Sequence, residues 1–457
     1  MRKCLSANHS VFQTVEDGLK FEEQQLTSFA GLVVFQKLFE TCQLRARLQE
    51  ACAHLGARHH YGFSTILQCL IVHLLLGYRQ LRESAFYRDD PLVKRVLGLK
   101  VLPSVPTVSR MLSEFDPPSV AAQRGVSRGL VLDRLQKEAL RTVSLDFDGS
   151  VQSTQRHAEG TAVGFNKAKK GARSYYPLFC TVAQTGQVLD VLHRSGNVHD
   201  SQGAIDFVTA CVQRVRERLG SPRLEVRLDS AFFSDAMVRC LEALGVEYTI
   251  SVPFERFVPL KERIEKRKVW WRVPGSAGKS HAFEQRWKPQ SWAKKARFIF
   301  LRNTVAVQKK EPIQLNLFEP VQQGYEFKVI VTNKTAATGK VARFHEGRGY
   351  QEKLYGELKG QAQMGYVPAR RLVANQVYLL CSLLAHNLCR ELQMQVAEPV
   401  RGTTEKRTVR WLFEELDTLR RTLIARAGRL TRPQGKLTLT LNANLTVQNA
   451  LLRFLQA

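Results

Sequence analysis

Carboxylates are scarce in this sequence. Its 457 residues hold 41 Asp and Glu against 68 Lys and Arg, a net charge of +27. Such an excess repels itself in the folded state and attracts polyanions, and nucleic acid leads among these because phosphate neutralisation dominates that affinity. A ribosome-like or membrane-surface protein fits less well, because the chain is long and its acids stand isolated in strand contexts. The nine cysteines form no CxxC pair and no zinc-finger spacing, which excludes the common zinc modules. Their number is odd and their neighbours are mostly apolar, so they read as reduced core residues of a cytosolic protein. There is no P-loop, so nucleotide hydrolysis is not indicated, and no Ser-His-Asp or Cys-His arrangement stands out. The first ten residues lack the apolar run of a signal peptide. The most apolar stretch, 63–78, contains Gln68 and His73 and is short for a membrane span, so a buried helix is expected there. There is no internal repeat and no low-complexity tract.

A hydrophobic content of 44% supports a large core. Residues 1–140 are expected to be mostly helical, with helical apolar spacing over 36–53, 64–78 and 81–87. Ser104 or Thr107 can cap a helix bearing Arg110, which fits a helix-turn-helix reader of DNA or a plain helical bundle.

At 141–150 the pattern changes. Val143, Leu145 and Phe147 alternate with Ser144, Asp146 and Asp148, the period of a strand, and Gly149 follows the last acid. A basic, glycine-containing stretch over 151–176 reads as a flexible hairpin able to lie along a phosphate backbone or as a plain solvated loop. Strands over 176–182 and 188–193 and a helix from about 202 lead to a second alternating run, in which Leu224, Val226 and Leu228 interleave with Glu225, Arg227 and Asp229. A helix over about 234–244 and a strand over 246–252 follow. The order predicts an α/β domain over 141–252.

Residues 253–325 interrupt it. They carry four of the five tryptophans, Trp270, Trp271, Trp287 and Trp292, among many Lys and Arg, and read as a β-rich insertion. Aromatics between cations can stack on bases or can pack a small sheet. The α/β domain resumes over 326–400. Long helices are expected over 372–392 and 409–423, then a strand and a final helix in a C-terminal region, 401–457, available for dimerisation.

Within 343–359, Arg348, Glu352 and Lys359 are spaced four and then seven apart, which returns all three to one helical face. Gly347 and Gly349 make a poor helix interior, so the helix is also expected to start near Tyr350, with His345 and Arg348 on the loop before it. Asp148, Asp229 and Glu352 are hard oxygen donors suited to Mg²⁺ or Mn²⁺, with Asp146 an alternative first ligand. Arg348 and Lys359 suit the phosphates alongside.

These motifs resemble those of the DDE transposases of bacterial insertion sequences. The branch with a Y-(2)-R-(3)-E-(6)-K signature matches at Arg348, Glu352 and Lys359, with His345 at the tyrosine position. Asp148-Gly149-Ser150 resembles the first acid's D-G-T strand end, and residues 227–232 resemble the second acid's strand and aromatic turn. The wider text, including Tyr175-Tyr176-Pro177-Leu178 and Ala385-His386-Asn387-Leu388, is similar to the insertion sequence 1380 group.

The resemblance implies an RNase H-like α/β catalytic core with a β-rich insertion, behind a helical N-terminal DNA-binding region. It implies Mg²⁺-dependent cleavage of double-stranded DNA at terminal inverted repeats and strand transfer into target DNA, by a homodimer on paired ends in the bacterial cytoplasm, at the nucleoid. It makes Asp148, Asp229 and Glu352 the metal-holding catalytic acids. Arg348, Lys359 and His345 then contact DNA phosphate, and the four tryptophans are candidates for stacking on a displaced base. A nuclease without strand transfer and an inactive DNA-binding derivative are the rival readings.

Overall fold

The computed structural model describes residues 22–456 except 57–58, 156, 165, 167–168, 200, 275, 277, 305–323 and 401–408. Arg156 and Lys167 of the basic hairpin, and the first 21 residues, lie outside the described residues.

Period-two alternation builds a nine-stranded sheet. In chain order its strands are β1 (Thr142–Gly149), β2 (Leu178–Val182), β3 (Gln187–Leu192), β4 (Arg223–Leu228), β5 (Glu247–Ser251), β6 (Trp271–Arg272), β7 (Ser280–Trp287), β8 (Ala296–Thr304) and β9 (Tyr325–Thr332). Their order across the sheet is β6-β7-β8-β9-β5-β4-β1-β2-β3. β1, β2 and β3 form an antiparallel meander, while β1, β4 and β5 run parallel. The remaining neighbours are antiparallel.

Two right-sized crossovers make the parallel part possible. Helices Ala204–Leu219 and Asp235–Ala243 join β3 to β4 and β4 to β5. They bury Phe207, Val212, Val238 and Leu241 against Val143, Leu145, Phe147 and Val226. One face of β1 is thereby committed to apolar packing. Alternation turns Ser144, Asp146 and Asp148 to the other face.

The strands within 253–325 continue this sheet through β9 instead of forming a sheet of their own. The 151–176 stretch is a small three-stranded sheet of Gln152–Ser153, Arg173–Tyr175 and Ala162–Val163.

Among its described residues the N-terminal region is mostly helical, though the 36–53 pattern is split into Leu32–Thr41 and Leu44–Ala51 at Gln43, which has φ 51°. Ser104 caps Val105–Leu112, and Arg110 is exposed on it. These helices do not hold a core of their own. Leu32, Phe35, Ile66 and Leu70 share one cluster with Leu384 and Leu388 of Leu372–Val396 and with Leu416 and Leu423 near the C-terminus.

Leu372–Val396 is the one helix among the described residues long and apolar enough to cross a membrane, and 83% of that window is buried within the fold. Its His386 and Asn387 are fully buried. His386 meets the carbonyl of Gly186, and Asn387 bonds both backbone groups of Val188. The C-terminal chain returns to the N-terminus, where Gly428–Thr431 pairs with Leu26–Thr27 and Thr438–Leu441.

Candidate active site

β1 and β4 pair in parallel with Asp146 beside Arg227 and Phe147 beside Leu228. One further residue along this register sets Asp148 beside Asp229, at a strand spacing of about 4.8 Å. The two aspartates therefore stand at the same end of adjacent parallel strands. Asp229 has just left the strand, and its side chain accepts a hydrogen bond from the Ala231 N–H at 3.0 Å, which caps the short turn Ser230–Phe232. Gly149 has no room for a side chain, because a Cβ there would lie 2.6 Å from the Tyr176 hydroxyl. The phenol of Tyr176 is thus packed against the backbone of Gly149.

The helix Tyr350–Gly360 covers this face of the sheet. Gln351 donates to the Asp146 carbonyl at 3.3 Å and to Thr181 at 3.2 Å, and the Tyr355 hydroxyl donates to the Asp148 carbonyl at 3.2 Å. Glu352 follows Gln351 and stands three residues before Tyr355, so it borders the stripe that faces β1. It is exposed and makes no ion pair among the described residues.

Arg348 lies on the tight turn Gly347–Gly349 between helices Thr338–Glu346 and Tyr350–Gly360. Both glycines keep helical dihedrals, with φ −57° and ψ −19°, so the turn carries the helical path through. Its guanidinium reaches Asp148 at 3.3 Å. Burial lowers the pKa of Lys359, and the nearby charge of Asp148 opposes that shift. Arg348 and Lys359 therefore flank the first aspartate from the helix side.

The donor chemistry fits a divalent cation. Asp148 and Asp229 supply hard oxygens from adjacent strand ends, and Glu352 is the acid of the covering helix. Among the described residues no three Asp, Glu, His or Cys side chains are gathered at ligand spacing, and Arg348 holds Asp148.

A family model described as transposase DDE domain, group 1, matches residues 14–457. The chain belongs to this family. Among curated proteins no match is found. Solved transposase structures are similar at a distance. The piggyBac transposase synaptic complex with hairpin DNA matches with TM-score 0.41 and 11% identity, over 86% of this chain and 80% of that one. The Drosophila P element transposase strand transfer complex matches with TM-score 0.23 and 14% identity, over 48% and 40%. The Mos1 transposase paired-end complex with the left transposon end matches with TM-score 0.17 and 13% identity, over 42% and 59%.

Several residues expected at the DNA of this DDE-domain protein lie elsewhere. His345 is in the helix Thr338–Glu346, not on a loop, and is buried. Its ring nitrogens meet the hydroxyls of Thr249 at 2.9 Å and Ser251 at 2.7 Å on β5. Burial, helped by Arg348, Arg227 and Lys328, drives its pKa down to about 3. A buried neutral ring cannot serve a phosphate, so His345 is corrected to a structural tie between helix and sheet.

This has a pH consequence. The unfolded ring titrates near 6.5 and the folded ring near 3, so the neutral ring's stabilisation is whole above pH 6.5 and is lost as pH falls toward 3. His345→Gln can keep the hydroxyl bonds without titrating. It is expected to reduce the stability lost between pH 7 and pH 5 by about 1–2 kcal/mol. Urea unfolding at the two pH values measures this, and equal losses in both proteins would refute it.

Trp287 and Trp292 are also corrected. Both are buried in the apolar cluster beneath β7 and β8, against Phe298. Trp270 is half-buried, between Phe283 and the Arg302 guanidinium. Trp271 alone of the four is exposed, at 68%. Asp146 gives both carboxylate oxygens to Arg227, at 2.5 and 2.7 Å, which corrects it from alternative ligand to buried ion-pair partner. Glu357 is likewise occupied, by Arg390 at 2.5 Å on the long helix, and is buried away from Glu352.

Sequence reasoning did not single out Gln351 or Tyr355, and it took Arg227 and Tyr176 only as parts of motifs, without a role. For Arg227 a signal existed. The spacing Asp146-x-Asp148 repeats as Arg227-x-Asp229, so in-register parallel strands must pair acid with base at one step and acid with acid at the next.

Proposed function

We propose that the protein is a metal-dependent DNA transposase that cuts at the terminal inverted repeats of an insertion sequence and joins the freed ends to target DNA. One observation carries this reading: paired aspartates at adjacent parallel strand ends lie under a helix that bears Glu352 and Lys359, with Arg348 on the turn that leads into it. The order β3-β2-β1-β4-β5, a meander beside parallel strands, supports an RNase H-like core. The net charge of +27 supports duplex DNA as the partner, in a nucleoid setting.

Asp148 and Asp229 would hold Mg²⁺ or Mn²⁺, with Glu352 completing the set. Bound divalent ions supply activation of an attacking hydroxyl and stabilisation of the leaving oxygen. The chain's own part is orientation and charge. Arg348 stands beside Asp148 and is placed to pass from that carboxylate to a phosphate oxygen arriving next to it. Lys359, one stripe along, neutralises a second phosphate. Gln351 and Tyr355 hold the helix on β1 through backbone carbonyls, so acids and cations keep their spacing. A homodimer on paired ends is part of the proposal, and the C-terminal region is its candidate contact.

The test is an assay on duplex DNA carrying the inverted repeats that flank the gene, with Mg²⁺ or with a chelator. Cleavage at the repeat tips only with Mg²⁺, and joining of pre-cut ends to plasmid DNA, are expected. Cleavage without joining would reduce the protein to a nuclease, and binding without cleavage would sink the enzymatic reading.

A further inference from the structure

The helix Tyr350–Gly360 is gripped on a second face, turned away from the one that Gln351 and Tyr355 set on β1. Lys353, Glu357 and Gln361 recur there at four-residue spacing, and each reaches the segment 414–417. Lys353 pairs with Glu415 at 3.4 Å. Glu357 accepts from the Leu416 N–H at 3.3 Å and from Arg390 at 2.5 Å. Gln361 donates to the Glu415 carboxylate at 2.8 Å and accepts from the Asp417 N–H at 2.9 Å. The grip is anchored in turn. The Arg390 guanidinium also meets the Glu414 carbonyl at 3.4 Å and lies 4.4 Å from the centre of the Phe413 ring. Gln393 takes both the N–H and the carbonyl of Glu414. At one end the Arg410 N–H bonds the Gln184 carbonyl at 3.0 Å. At the other, Arg420 reaches the carbonyls of Leu74, Leu75 and Gln361. Residues 410–420 thus form a strap across the back of the helix, pinned at both ends.

A buried ion pair is a costly way to fasten a helix. The Glu357 and Arg390 side chains are each 3% exposed, and an apolar pair would fill that space with less desolvation. What directional bonds add is a fixed rotation and height, which apolar contacts alone leave free to slip. Glu352 and Lys359 lie between the two held faces, on the exposed flank. A rotation of about 20° would carry a carboxylate at the helix rim by about 2 Å. Oxygen–metal bonds tolerate about a tenth of that.

We infer that Glu357, held by Arg390 and the strap, is a positioning residue that sets the rotation of this helix and with it the reach of Glu352 toward Asp148 and Asp229. The inference rests on the transposase reading, which gives Glu352 its role.

The test compares the full-length wild type, Glu357→Ala, Glu352→Gln and the double variant. Three quantities are measured: Mn²⁺ binding, from the spin-resonance signal of the free ion; hydrogen exchange over 350–361 without metal; and cleavage of inverted-repeat DNA. Glu357→Ala should weaken Mn²⁺ binding about tenfold, lower the cleavage rate at least as much and speed exchange in that segment, as loss of a supporting residue does at metal sites. Duplex affinity should stay within about threefold, since the net charge of +27 barely changes. In the Glu352→Gln background, Glu357→Ala should cost no further Mn²⁺ affinity, because the acid it positions is gone. A merely structural Glu357 would instead add its loss there in full. Glu415→Ala removes a carboxylate that is 43% exposed and serves if Glu357→Ala fails to fold. Its expected loss of Mn²⁺ affinity is about threefold. Unchanged Mn²⁺ binding in whichever variant folds, or a further full loss in the double variant, overturns the inference alone. A wild type that neither binds Mn²⁺ nor cuts overturns the transposase reading and the inference with it.

Discussion

Asp229→Asn is expected to lower DNA cleavage by about a thousandfold or more, because it removes one of the three carboxylate charges that would hold the metal. Its fold should persist. The amide oxygen can still accept the hydrogen bond from the Ala231 N–H that the carboxylate accepts now. Binding of duplex DNA should not weaken, since a negative charge beside the phosphates is lost. Asp148→Asn should show the same separation of cleavage from binding, with the added effect of releasing Arg348. The measurements are cleavage rate, DNA affinity and melting temperature on one preparation. A rate within tenfold of wild type at unchanged melting temperature would remove Asp229 from the reaction, and the proposed metal site with it.

Arg227→Met should be the most destabilising single change near the site. Arg227 is fully buried, with two nitrogens on Asp146, a third on the Phe344 carbonyl at 2.9 Å and the Phe344 ring under its guanidinium. Removing it strands a buried carboxylate, which costs about 3–5 kcal/mol in comparable pairs. The double variant Arg227→Met with Asp146→Leu should recover much of that loss, because the unpaired charge is gone. Urea unfolding of the three proteins measures the coupling. If the single variant loses less than about 1 kcal/mol, Asp146 is finding another partner or a proton.

The parts of this site that strand alternation controls were readable in the residues. Runs 143–148 and 224–229 each commit one face to apolar packing, so their acids had to share the other. Which acids meet was a matter of register, and register is a contact between distant segments. His345 shows the limit. Its neighbours in sequence are of mixed character, with Arg343 and Phe344 before it and Glu346 and Gly347 after, and only the presence of Thr249 and Ser251 across the sheet makes it a buried tie. The tryptophan-rich stretch is ambiguous for another reason, since cations between aromatics look alike whether they snorkel over a packed ring or flank an open one. Residues 409–423 carry helical leucine spacing, yet a helix forms only at Leu416–Leu419 before a π turn at Arg420–Ile424. Side chains of other helices take the N–H groups that an earlier start would have used. Gln393 accepts from Glu414, Glu357 from Leu416 and Gln361 from Asp417.

Asn387 has a consequence for the behaviour of the chain in a crowded cell. β3 is the last strand on its side of the sheet, and its outer backbone would otherwise be open to any extended peptide. Asn387 takes both the N–H and the carbonyl of Val188, each at 2.8 Å, so its side-chain amide acts as one residue of a missing tenth strand. The opposite margin, β6, is two residues long and leads with Trp271 and Arg272. One margin is plugged and the other is short and charged, which leaves a nine-stranded sheet with little template for edge-to-edge aggregation.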